Sequence, residues 1–161
     1  ARKGTAIQRA LIDRRLIESA SISLRGGSGK ILALTEEGRQ ALGLPAAASN
    51  RDGGPVHTYW KRRLAEHLRA RGYEVAEEFP VGGGKTIDLV ATRGGKRVAF
   101  EIETGASDAA ANVRKCLAAS VDSVVVVATS ARNRESLAKK LESCPGTIIL
   151  TTSEATKRLA Q

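Results

Sequence analysis

The stretch Val121–Thr129, VDSVVVVAT, constrains the fold more than any other part of the chain. Its β-branched side chains favour extended backbone. A strand with one wet face alternates polar and apolar residues, and this one does not, so it predicts a strand buried on both faces. Thr147–Thr151 (TIILT) has the same character. Two such strands need helices on both sides of a sheet, which implies an α/β fold with a mixed central sheet.

The neighbouring patterns supply those layers. Residues His57–Arg71 carry Trp60, Leu64 and Leu68 on one helical stripe, and Gly72 follows as a stop signal. Tyr73–Val81, Lys85–Thr92 (KTIDLVAT) and Arg97–Glu103 (RVAFEIE) read as strands, the last two joined by the tight turn Arg93-Gly94-Gly95-Lys96. Ala106–Ser120 and Asn133–Ser143 read as helices, and Glu154–Leu159 as a short final one.

Upstream lies a smaller segment. Residues 1–42 read as helix (Thr5–Glu18), strand (Ser21–Arg25), strand (Lys30–Leu34) and short helix, with Gly26-Gly27-Ser28-Gly29 as a hairpin tip. Thr35 caps the last helix, and Glu36 and Glu37 occupy its first turn, where the helix dipole favours anions. Residues 43–56, GLPAAASNRDGGPV, have little to bury and read as a linker to a domain over 57–161.

Composition narrows the function. The 161 residues hold 26 Lys and Arg against 17 Asp and Glu, a net charge of +9, which favours a polyanionic partner, nucleic acid first. Segment 1–42 has eight basic and four acidic residues, so the excess is shared between the two parts. Aromatic content of 3% argues against a base-stacking platform for single strands. No apolar run is long enough for a membrane span and no signal segment appears, so no membrane partner is expected. Cys116 and Cys144 lack metal-motif spacing and read as free thiols of a cytoplasmic protein. Methionine is absent even at position 1, which points to a processed chain or a piece of a longer one.

The most informative residues are Asp88, Glu101 and Glu103. Strict alternation puts Thr86, Asp88 and Val90 on one face of their strand, and Ala99, Glu101 and Glu103 on one face of the next. Paired antiparallel, the strands bring three carboxylates together. Such a cluster repels itself unless a cation or basic groups intervene. Oxygen ligands of this type suit Mg²⁺ or Mn²⁺, and a divalent ion there polarises a phosphodiester and activates water. The alternative is a solvated face balanced by Lys85, Lys96 and Arg97.

The run helix, strand, GGGKTID, turn, RVAFEIE, helix, VVVVA resembles the PD-(D/E)XK nuclease superfamily, the restriction-endonuclease-like fold, over roughly Pro55 to Thr151. The resemblance implies Asp88 and Glu101 as metal-binding acids, with Glu66 of the first helix as an additional ligand. The family's lysine falls at Glu103, so this chain reads E-I-E. The resemblance then offers Glu103 as a third metal ligand and moves the basic role to the next helix, where Lys115 and Arg114 lie with Asn112. Lys85 is a second basic candidate, although alternation points it to the opposite face from Asp88. Without a replacement lysine the domain is a catalytically inactive module that binds DNA or a protein.

The first segment resembles the C-terminal part of a winged helix-turn-helix: a helix, a basic glycine-tipped hairpin, then Leu34-Thr35-Glu36-Glu37-Gly38-Arg39. In that likeness Gln8, Arg9, Arg14 and Arg15 sit on the reading helix, and Arg25 and Lys30 flank the wing. The alternative is a winged helix that binds protein. Lys61 and Arg62, with Arg63, form a further cluster suited to a phosphate backbone. The resemblance as a whole implies a DNA-processing protein acting on duplex or branched DNA. The chain is then the C-terminal part of a larger protein with an upstream P-loop ATPase region, and a homo-oligomer is compatible with it. The glycine-lysine runs at Gly82–Thr86 and Gly26–Lys30 lack the first glycine of a phosphate-binding P-loop, and the first leads into a strand where a P-loop needs a helix.

Overall fold

The computed structural model describes residues 2–24, 27–46 and 53–158. The chain divides into two compact units, Ala1–Thr58 and Tyr59–Gln161.

The first unit contains α1 (Arg2–Asp13), β1 (Ile17–Leu24), β2 (Gly27–Leu34) and α2 (Glu36–Ala41). The strands form an antiparallel hairpin, paired from Ile17↔Leu34 to Leu24↔Gly27. The helix expected to run to Glu18 stops at Asp13, for a local reason. Arg15 takes a φ of 56°, its N–H bonds to Ile12 O at 2.8 Å, and the Leu16 N–H bonds to Leu11 O at 2.9 Å. These bonds make a Schellman stop with an arginine where glycine is usual, and Ile17 and Glu18 pass into the strand. Gly27, Ser28 and Gly29, expected in the hairpin tip, are paired residues of β2. The Thr35 cap forms as expected: its hydroxyl accepts from Gly38 N at 3.0 Å and donates to Arg15 O. Gly38 is required there, because a Cβ would fall 1.9 Å from Leu16 O. Part of the expected linker, residues 47–52, lies outside the described residues, and its end, from Gly54, is helical.

The second unit is built on α3 (Gly54–Arg69), β3 (Glu74–Gly82), β4 (Lys85–Arg93), β5 (Lys96–Glu103), α4 (Ala109–Leu117), β6 (Ser123–Ala128), α5 (Ala131–Lys140), β7 (Thr147–Thr151) and α6 (Thr152–Arg158). The five strands lie in chain order, with β3, β4 and β5 antiparallel and β5, β6 and β7 parallel. Helices flank this sheet, so the fold is α/β with a mixed central sheet. The expected valine strand is β6, and its Val124, Val126 and Val127 are 0%, 0% and 2% exposed.

α4 packs on β4, β5 and β6, and α5 packs on β6, β7 and α4. Between them and the sheet lies a core of Ile87, Val90, Ala99, Val113, Val124 and Leu137. Leu89, Phe100 and Ile102 are buried as well, as are Leu64 and Leu68 of α3 and Ala155 of α6. Gly72 ends α3 as expected, at a φ of 78°, with Tyr73 N–H bonded to Leu68 O. No helix among the described residues is long and apolar enough to cross a membrane.

Candidate functional site

The sheet's pairing is interrupted where the acids stand. β4 and β5 pair from Arg93↔Lys96 to Leu89↔Phe100, and the ladder ends there. Asp88, next in line, accepts the Ile102 N–H on Oδ2 at 2.7 Å. On the other side, β3 and β4 pair at Glu77↔Leu89 and Phe79↔Ile87 but not between them, and Glu78 carries a φ of 49°. Alternation breaks as a result. Ile87 and Val90 share one core cluster although strict alternation sends them to opposite faces.

Thr86 donates to Glu78 Oε2 at 2.9 Å. The break corrects one expectation. Lys85, expected on the far face, lines a cavity together with Lys115 of α4.

Glu101 is the centre of the site. It is 3% exposed, and its Oε1 takes two bonds: Lys115 Nζ at 2.9 Å and Cys116 Sγ at 3.3 Å. Among the described residues no such bond reaches Oε2. Burial first, and then the negative charge of Asp88, push the Glu101 carboxyl from an ordinary 4.5 up to about 7, and Lys115 opposes both. Burial and the Glu101 charge also drive the Cys116 thiol upward, so it remains a neutral donor.

Glu103 turns to other partners. It is 1% exposed, accepts Asn112 Nδ2 at 3.0 Å on Oε1, and accepts the Ser107 hydroxyl on Oε2. Asn112 Oδ1 in turn accepts Lys115 Nζ at 3.4 Å. The residues Glu103, Asn112, Lys115 and Glu101 thus form a continuous polar chain between β5 and α4. Asp108 starts α4 by accepting the Ala111 N–H at 3.0 Å, and this cap fixes the phase that points Asn112 and Lys115 at the strand.

The structure brings together Asp88, Glu101, Lys115, Asn112 and Glu103, and it leaves others out. Among the described residues no group of three or more His, Cys, Asp or Glu side chains is placed to hold a metal ion. Glu103 is committed to Ser107 and Asn112. Glu66 is exposed on α3 and pairs with Arg63 at 3.8 Å. Lys61, expected on a phosphate-binding face, is 5% exposed and forms an ion pair with Glu78. Arg62 and Arg114 are exposed.

In the first unit Arg9 is exposed and Gln8 half-buried on α1, and Lys30 is exposed on β2. Arg14 and Arg15 lie beyond the end of α1, in the turn to β1, and not on the helix. Arg25 lies outside the described residues. Ser107 and Cys116 are participants that the motif reading did not name. Their only signal was adjacency in sequence, Cys116 beside Lys115 and Ser107 just before the Asp108 cap.

No protein-family model matches the chain, and no curated protein does. A solved structure similar to part of it is that of a protein of unknown function, AF1548, at 19% identity and a TM-score of 0.40. The likeness covers 59% of this chain and 58% of that one.

Proposed function

We propose that the second unit is a nuclease-like domain that hydrolyses DNA phosphodiesters, with Asp88 and Glu101 as its acids and Lys115 as its base-side cation. The observation that carries the reading is Lys115 Nζ at 2.9 Å from Glu101 Oε1, beside Asp88. Two carboxylates and one lysine then converge from β4, β5 and α4, although the strand motif itself lacks the lysine. Glu103 fixes Asn112, which in turn holds Lys115, and neither binds metal in this reading.

The donor set fits Mg²⁺ or Mn²⁺, which one or two carboxylates hold while water and substrate phosphate complete the shell. Glu101 Oε2 and Asp88 are the residues that would hold it, and the mutual repulsion of the two acids is the reason to accept a cation. The ion when bound supplies Lewis-acid polarisation of the phosphodiester. Lys115 contributes positive charge where negative charge develops on the phosphate. The net charge of +9 supports a polyanionic substrate, and the buried free thiols Cys116 and Cys144 suit a reducing cytoplasm.

The test is cleavage of linear, supercoiled and branched DNA with Mg²⁺ or Mn²⁺, by the wild type and by Asp88→Asn. Cleavage that needs metal and is lost in the variant is expected. A folded wild type that cuts none of these substrates with either metal overturns the proposal. A second reading has its own support: Glu101 is already paired from within by the Lys115 cation and hydrogen-bonded by Cys116. A DNA-binding module without chemistry follows from that, with affinity that falls as salt rises and is indifferent to chelation.

A further inference from the structure

The turn between β3 and β4 faces the last turn of α4 across a cavity of about 270 Å³, lined by Lys85, Lys115, Gly82, Gly83, Ala118 and Ala119. That volume is close to the small end of ligand-sized cavities, ~300 Å³. Its charged groups come from both sides, Lys85 from the turn and Lys115 from α4. Lys85 is exposed and forms no salt bridge among the described residues. The Lys115 ammonium has three N–H donors; Glu101 and Asn112 take two, and one remains for a ligand. Gly82, Gly83 and Gly84 all have positive φ, at 88°, 60° and 69°. A Cβ at any of the three would meet nothing within 4 Å, so the space over the turn is open. The remaining wall is small and apolar.

We infer that this cavity is a phosphate subsite that seats one nucleotide of a DNA strand, its phosphate between Lys85 and Lys115 and its sugar against Ala118 and Ala119. This deepens the nuclease-like reading and rests on it for the class of substrate. Lys115 is the shared element: it joins the subsite to Glu101, so a strand anchored here runs toward the acids. The strand-face pattern hid the subsite, because it sent Lys85 to the other side of the sheet.

The test separates the subsite from the chemistry. Thymidine 5′-monophosphate and thymidine are titrated into the whole chain in EDTA, and the amide resonances of Gly82, Gly83 and Ala119 are followed by NMR. The monophosphate is expected to shift them and thymidine is not. Lys85→Ala should weaken binding about tenfold, and Ala118→Trp, which fills the cavity from an exposed position, should abolish it with the fold intact. No shift at millimolar monophosphate, or equal shifts with thymidine, overturns the subsite. Short oligothymidylates with a 5′-phosphate or a 5′-hydroxyl identify the source. A preference for the phosphate assigns a strand end, equal binding assigns internal phosphodiesters, and each supports the inference. DNA cleavage without nucleotide binding overturns the subsite and leaves the nuclease reading standing. Nucleotide binding without cleavage does the reverse.

Discussion

Lys115 Nζ lies 2.9 Å from Glu101 Oε1, and the two side chains are 14% and 4% exposed. A buried carboxylate next to a second acid is costly unless a cation offsets it. In this chain α4 supplies that cation to β5. Removing it by Lys115→Met should cost about 3–5 kcal/mol of stability at pH 8, the range for breaking one half of a buried pair. At pH 5, where Glu101 holds its proton, the cost should shrink. Urea unfolding at the two pH values measures this, and an equal loss at both contradicts the pairing.

Stability should also depend on pH through Glu101. An acid that binds its proton more tightly in the folded chain than in the unfolded one favours folding while protonated. Its folded value is about 7 against an ordinary 4.5, so its favourable contribution is complete below pH 4.5 and falls as pH rises to about 7. Above that the curve should flatten. The fall amounts to a few kcal/mol at about 1.4 kcal/mol per unit. Glu101→Gln should remove this slope, and chemical denaturation across the window checks it.

Asp88 has two separable jobs. Its charge raises Glu101, and its Oδ2 satisfies the Ile102 N–H at 2.7 Å. Asp88→Asn keeps an acceptor and loses the charge, so the Glu101 carboxyl should move down, as carboxylate NMR titration will read. Asp88→Ala should additionally leave a buried N–H unmet, at about 1–3 kcal/mol. Both variants should lack metal-dependent cleavage.

Restoring the E-X-K pattern should fail. Glu103→Lys places an ammonium where Asn112 Nδ2 and the Ser107 hydroxyl both donate. An acceptor could come only from a turned Ser107 hydroxyl or from an Asn112 taken away from Lys115, in a site that is 1% exposed and already holds the Lys115 ammonium nearby. Thermal unfolding should show a large loss of stability, and cleavage should drop. A stable, more active Glu103→Lys protein would falsify the role given to Lys115.

In the first unit, Gly38→Ala drives a methyl into Leu16 O, 1.9 Å away. The chain must move α2 away from the α1–β1 turn, which costs about 1–3 kcal/mol or more. Loss of the protected Gly38–Thr35 cap in hydrogen exchange, with the second unit unaffected, is the expected signature.

Most of the sheet was legible because β6 is a continuous apolar run and the β4–β5 turn carries its own glycine signal; β7, read as equally buried, is the edge strand and leaves Ile148 42% exposed. Asp88 and Glu101 were legible through alternation across that turn, and Lys115 through the resemblance. Helix boundaries were less so: Arg15 stops α1 in a conformation that residue identity does not advertise. The position of Lys85 was hidden for a related reason. Alternation is a rule of regular strands, and Glu78 and Asp88 break it where side chains replace ladder bonds. The destination of Glu103 depended on Ser107 and Asn112, whose phase is set by the Asp108 cap and not by any strand pattern.

The strand that carries both Glu101 and Glu103 is the third of five, antiparallel to β4 and parallel to β6. Its residues 98–100 pair with both neighbours, whereas residues 101–103 pair with β6 alone and meet β4 through the Asp88 side chain. The acids therefore stand just beyond the end of the regular β4–β5 ladder, where a side chain, Asp88, closes the sheet. Beside them, Gly82 and Gly83 of the turn and the end of α4 line an open cavity. Substitutions there should leave the core undisturbed, so that this rim can vary while the strands beneath it do not.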